Sequence, residues 1–223
     1  MEWTNKKSLI IGISETIIYS GQNRPIDIGY INPISTHLEV ELNRRLNKYG
    51  DEFANAVWQL HIDHLLRNRH RISINFLIDE FVLDPDVEIG KEHGKAFSAK
   101  YVFSERWSPK YFISFSLYCI YVGTPTFRHG DGYNNFVNNS MPLGWKFGSD
   151  GIETSTGICV YDQQNLILNF ILGHVQLGSE RLTTSPYKTY DNYLKEKFPS
   201  GENYEIDFLE ARLNYKLNSV FSF

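Results

Sequence analysis

The sequence predicts an all-β fold: an antiparallel up-and-down sheet of about ten strands with the pattern of a transmembrane β-barrel. Three observations predict it. Apolar and polar residues alternate with period two over most of the chain. From residue 66 onward the connections run short (67–69), long (83–94), short (108–109), long (123–150), short (162–164) and long (178–203). That order puts every tight turn at one end of the sheet and every long loop at the other, as in barrels of the outer-membrane type. Aromatic residues make up 15% of the chain, mostly Tyr and Phe, which suits strands and equally suits a belt at a membrane interface.

The expected strands are 7–19, 25–31, 36–45, 53–66, 70–82, 95–107, 110–122, 151–161, 165–177 and 204–217. In 7–19 one parity carries Leu9, Ile11, Ile13, Ile17 and Tyr19 but also Glu15, which would stand near mid-membrane. A bulge after Gly12, or cover from further protein, would relieve that charge. The stretch 36–45 alternates Leu38, Val40 and Leu42 with Glu39, Glu41 and Asn43, so it reads as a strand and not as a helix. Strands 53–66 and 70–82 form a hairpin about Arg67–Arg69, with Trp58, Leu60 and Ile62 matched by Ile72, Ile74, Phe76 and Ile78 on one face. That face could cover a soluble core or meet lipid, and the hairpin alone does not decide. Phe97, Ala99, Tyr101 and Phe103 continue it on 95–107, and Ile113, Phe115, Leu117 and Cys119 on 110–122. On 204–217, Leu209, Ala211, Leu213, Tyr215 and Leu217 oppose Glu210, Arg212, Asn214 and Lys216. Trp107 and Tyr111 flank one short turn, and Tyr19, Tyr121, Tyr161 and Tyr204 lie near other strand ends, in the manner of an aromatic girdle. Phe221 and Phe223 continue the apolar parity to the last residue. Ten strands would put both chain ends at the short-turn end.

Length and composition fit one domain over residues 1–223, with 42% hydrophobic residues. The net charge of −4, from 22 basic and 26 acidic residues, gives no basic excess for a nucleic-acid partner. Cys119 and Cys159 are too few for a disulfide framework and read as small packing residues. No apolar run is long enough for a transmembrane helix, and the opening "MEWTNKKSLIIGISE" is not a recognisable signal peptide. No G-x-S-x-G elbow follows a strand and no Gly-rich phosphate loop opens a helix, so neither a catalytic residue nor a cofactor is expected.

Three stretches carry a family resemblance: "IGISETIIYSGQNRP" followed by "YINP" (11–25 and 30–33), "ELNRRLNKYGDEFANAVWQLHIDHLLRNRHRISINFLIDEFVLD" (41–84), and "PLGWKFGSDG" (142–151). Their order resembles the Bacteroidetes-type members of the Wzi-like capsule assembly family of outer-membrane β-barrels. The resemblance implies a non-enzymatic protein of the outer membrane that binds, anchors or helps assemble capsular or other surface polysaccharide. It also implies a barrel of about 18 strands in which this chain is the C-terminal part, with the N-terminal barrel half and a signal peptide upstream. Two other readings of the same residues are a soluble β-sandwich carbohydrate-binding module and an outer-membrane porin or barrel enzyme.

Candidate site residues fall in two groups. In the longest loop, Asp131, Tyr133, Asn134, Asn135 and Phe136 suit a polysaccharide, because amides donate and accept hydrogen bonds while rings stack on apolar sugar faces. Polar residues expected in the lumen or at its mouth are Glu15, Arg24, His61, Asp63, Asp79, Glu80, Asp150, Glu210 and Arg212. His61 and Asp63 share a strand face while His64 points the opposite way, so the three do not form a local metal site.

Overall fold

The computed structural model describes residues 1–20, 26, 28–32, 34–36, 54–79, 89–129, 132–162, 165–185 and 196–216. Its strands are β1 (Glu2–Thr4), β2 (Leu9–Ile18), β3 (Asn55–Leu66), β4 (His70–Ile78), β5 (Lys95–Arg106), β6 (Tyr111–Val122), β7 (Val137–Asn138), β8 (Met141–Pro142), β9 (Gly151–Asp162), β10 (Leu166–Leu177) and β11 (Tyr204–Tyr215). Nine of them form one antiparallel up-and-down sheet in the order β1-β2-β3-β4-β5-β6-β9-β10-β11, and β7 and β8 pair separately. The sheet is open, with β1 and β11 at its two edges.

The alternation of turns extends over the whole sheet. Short connections 5–8, 67–69, 107–110 and 163–165 lie at one end, and 19–54, 79–94, 123–150 and 178–203 at the other. Local chemistry closes the short turns. Arg67 and Asn68 take positive φ in the β3–β4 turn (49° and 56°), the sign that matches a tight hairpin turn to strand twist. At the last turn the Asp162 carboxylate accepts the Asn165 and Leu166 amides at 2.6 and 2.7 Å.

One expected strand is corrected. β2 pairs with β3 residue for residue, Leu9 with His64 through Ile18 with Asn55, so no strand from 19–54 stands between them. In place of a strand over 25–31, Ile28–Ile31 is a 3-10 turn; Gly29 breaks an alternation too short to sustain a ladder. Most of the stretch 36–45 lies outside the described residues, as do Phe221 and Phe223. Glu2–Thr4 adds an unexpected strand ahead of β2, running from the long-loop end toward the short turns. The start of the chain therefore lies partway along the sheet and not at its short-turn end.

The two faces differ in what covers them. Val57, Leu77, Ala96, Ile120, Val122, Val175, Leu177 and Phe208 lie on the polar face, all near the long-loop end. Phe127, Phe136, Trp145 and Leu182 from the long loops pack onto them, so the loops fold over this face as a cap with its own core. On the other face Phe198 of the 178–203 loop packs on Tyr121 at the long-loop end, with ring centroids 4.6 Å apart, but the described residues form no second layer over the strands. Leu172, Leu209 and Leu213 stand there 58%, 73% and 64% exposed.

This uncovered face is apolar in a band that crosses the sheet obliquely. One paired row, Glu15–Trp58–Ile78–Lys95, marks its long-loop margin on β2 to β5. On β10 and β11 the margin has moved two rows toward the short turns, to His174 opposite Asp207. The other margin shifts the same way, from His64 and His70 on β3 and β4 through Glu105 on β5 to Asp162 on β9. At about 6.8 Å per row and about 4.8 Å per strand, the band slopes by roughly 20–30° to the rows. Between its margins run rows such as Phe103–Phe115–Ile158–Phe170–Ala211.

Candidate functional site: a capped cavity on the polar face

Beneath the cap is a cavity of about 450 Å³, bounded by the sheet on one side and the loops on the other. Its floor holds a chain of side chains that β3, β4 and β5 present on the polar face. Gln59 donates from Nε2 to Asn75 Oδ1 at 3.1 Å, and Asn75 donates from Nδ2 to Ser98 Oγ at 3.2 Å. Thr16 adds a hydroxyl at one side. The roof is Phe127, Phe136, Leu143, Gly144 and Trp145. Phe127 and Phe136 have ring centroids 5.5 Å apart. A Cβ on Gly144 would stand 2.8 Å from the Phe127 ring, so the glycine lets that ring lie close against the loop. The cavity thus offers hydrogen-bonding amides on one side and ring faces on the other, in a volume typical of small-ligand sites.

Buried hydrogen bonds hold the roof in place. Trp145 Nε1 donates to Glu153 Oε2 at 2.8 Å, and Lys146 Nζ lies 3.4 Å from Glu153 Oε1. Glu153 is itself buried on the polar face of β9, where the indole N–H and the ammonium offset the cost of desolvating its charge. Asp150, in the left-handed region at φ 59°, is fully buried where the two long loops meet. Its carboxylate accepts from Thr124 Oγ1 (3.0 Å), the Ser200 amide (2.9 Å), Ser200 Oγ (2.6 Å) and the Glu180 amide (3.1 Å). Arg128, also fully buried, donates to the carbonyls of Ser185 and Glu180. Asp79 accepts the Phe127 amide at the end of β4.

The candidates named from sequence divide accordingly. Asp150 and Asp79 are at the long-loop end of the sheet, as clamps for the cap. Of the loop group, Tyr133 is exposed, whereas Asn134, Asn135 and Phe136 are buried. Asn134 Oδ1 accepts the Ser20 amide at 2.8 Å and Asn135 Oδ1 accepts the His129 amide at 2.8 Å, so both acceptors brace the cap. Phe136 alone of that group lines the cavity. His61 and Asp63 lie on the polar face further from the cap. The His61 ring rests over Gly12, where a Cβ would be 2.1 Å from it, and lies 3.6 Å from Glu2. Asp63 accepts from Arg71 Nε at 2.9 Å and Ser73 Oγ at 2.7 Å. Glu210 and Arg212 pair at 2.7 Å on β11. Arg24, Glu80 and Asp131 lie outside the described residues.

Glu15 departs from its expected place. Register with β3 is unbroken through Gly12, so no bulge turns it, and it keeps the apolar parity opposite Trp58. It lies in the row of Lys95, at the long-loop margin and not at the middle of the band. Of the residues expected in an aromatic girdle, Trp107 stands 71% exposed at the short-turn end, but Tyr161 is on the polar face, its ring stacked on Phe112 at 5.2 Å.

Sequence reasoning missed Gln59, Asn75, Ser98, Phe127, Trp145, Glu153 and Arg128. Trp145 lies in the "PLGWKFGSDG" stretch and Gln59 and Asn75 in the 41–84 stretch that carry the resemblance; the other four carried no signal. Comparison of the chain with family models, with curated proteins and with solved structures gives no match in any of the three.

Proposed function

We propose that the sheet is the C-terminal portion of an outer-membrane β-barrel of about 18 strands, and that its capped cavity and the surrounding long loops bind capsular or other surface polysaccharide without enzymatic turnover. The observation that carries this reading is the distribution of cover. The loop core lies on the polar face, and the opposite, apolar face has no second layer among the described residues. A soluble sandwich puts its core between apolar faces, the reverse of this arrangement. The oblique band supports the same reading, because strands in a barrel tilt against the membrane and their lipid-facing stretch must drift from strand to strand. In this orientation the short turns face the periplasm and the cap faces outward.

The test is fractionation followed by binding. The protein, expressed from its whole gene in a Gram-negative host, should sediment with outer membranes and resist extraction by high salt. Detergent-purified protein should retain the host's capsular polysaccharide, and Trp145→Ala should weaken that retention at least tenfold. Recovery as a monodisperse protein in plain buffer refutes the membrane reading, and wild-type affinity in Trp145→Ala refutes the site.

A further inference from the structure

The two edges of the sheet run in the same direction. Each of the nine strands is antiparallel to its neighbour, so β1 and β11 both descend from the long-loop end to the short-turn end. Among the described residues β11 is a long, unpaired edge. It pairs with β10 over twelve residues without a bulge, contains no proline, and exposes Leu209, Leu213 and Tyr215 on the apolar face. Resting on the membrane reading above, that edge must be paired, because each backbone group left unsatisfied in lipid costs several kcal/mol.

Two obvious partners fail on direction. Closing β11 onto β1 of the same chain would join two descending strands in parallel, in a sheet whose every other ladder is antiparallel. A second copy inserted the same way up offers only the same descending edges, so β11 against its β1 or its β11 is parallel again. We infer that β11 pairs with an ascending strand of a sheet distinct from both the nine described strands and any second copy, and that this completing sheet has an odd number of strands. It must ascend beside β11 and ascend again beside β1. Antiparallel alternation between two ascending ends requires an odd count, which makes the total even, as bacterial barrels are. A barrel of about 18 strands would leave nine, which satisfies the rule. The pairing strand should alternate outward apolar with inward polar residues, and its lipid-facing stretch should begin level with Asp207 and end level with Tyr215.

The test uses Leu213→p-benzoylphenylalanine, with Leu168→p-benzoylphenylalanine as an internal control, in protein expressed from its whole gene beside a second copy carrying a different tag. Isolated outer membranes are irradiated and the adducts sequenced by mass spectrometry. The expected adduct of position 213 maps to a peptide outside residues 1–223, with none of the second tag recovered. Adducts to residues 2–18, to 36–45 or to the second copy overturn the inference while leaving the membrane reading intact. So does the absence of any adduct at 213 when 168 cross-links to its neighbours. Protein found only in the soluble fraction overturns the membrane reading itself, and the inference with it.

Discussion

The Asp150 carboxylate occupies the space that a side chain on Gly178 would need: a Cβ there would lie 2.1 Å from Oδ2. The same carboxylate collects hydrogen bonds from Thr124, Glu180 and Ser200, so one buried charge ties the start of one long loop to both ends of the other. Asp150→Asn turns an amide NH₂ toward at least one of these donors and should cost about 1–3 kcal/mol for the group left unsatisfied. Gly178→Ala should act alike by displacing the carboxylate. Limited proteolysis reads the effect: both variants should be cut faster within 178–203 than wild type while the strands stay protected.

How far the molecule could be read from its sequence follows from which interactions are local. The strands from β3 to β6 and from β9 to β11 were legible because alternation of partners such as Ile74 and Asn75 records which face each side chain takes. The cap was not, because its bonds join residues far apart in sequence, as Asp150 with Ser200 or Arg128 with Ser185. Residue type misleads in such loops. Asn134 and Asn135 have the chemistry of sugar ligands, yet the same amide oxygens here accept from the backbone N–H groups of Ser20 and His129. The cavity floor escaped notice because Gln59, Asn75 and Ser98 are ordinary polar-face residues until three strands bring them together.

Glu153 positions Trp145 through a single buried hydrogen bond. Glu153→Leu strands the indole N–H and should destabilise the cap by about 1–3 kcal/mol. Glu153→Gln, whose side-chain carbonyl can still accept, should lose less. The red shift of tryptophan emission on unfolding of the cap measures both, and equal losses in the two variants would show that the hydrogen bond is not what holds the ring.

If the cavity takes a sugar, its amide floor sets affinity. Asn75→Leu removes both the acceptor for Gln59 and the donor to Ser98 in a partly exposed position. Loss of one or two hydrogen bonds of about 0.5–1.5 kcal/mol each predicts a fall in polysaccharide affinity of roughly threefold to a hundredfold. Isothermal titration of the detergent-purified variant checks this, with Tm within a few degrees of wild type as the accompanying requirement.

The apolar band gives a test that separates lipid from water as its solvent. Leu172 sits on the uncovered face in the row Tyr101–Leu117–Thr156–Leu172–Leu209, inside both margins, and is 58% exposed. Its neighbour Asn169 points to the polar face in register with Cys159 and Arg212. In a bilayer Leu172→Arg places a guanidinium against hydrocarbon one row inside the margin at His174 and should cost about 1–3 kcal/mol, between the midplane and interface values. In water an exposed Leu→Arg change away from any packing feature moves stability by no more than about 0.5 kcal/mol. Asn169→Gln, on the polar face, controls for a substitution in the same strand. Reversible urea titration in phospholipid vesicles should show the arginine variant strongly destabilised and the glutamine variant close to wild type. A small effect for both would leave the apolar face without lipid as its solvent.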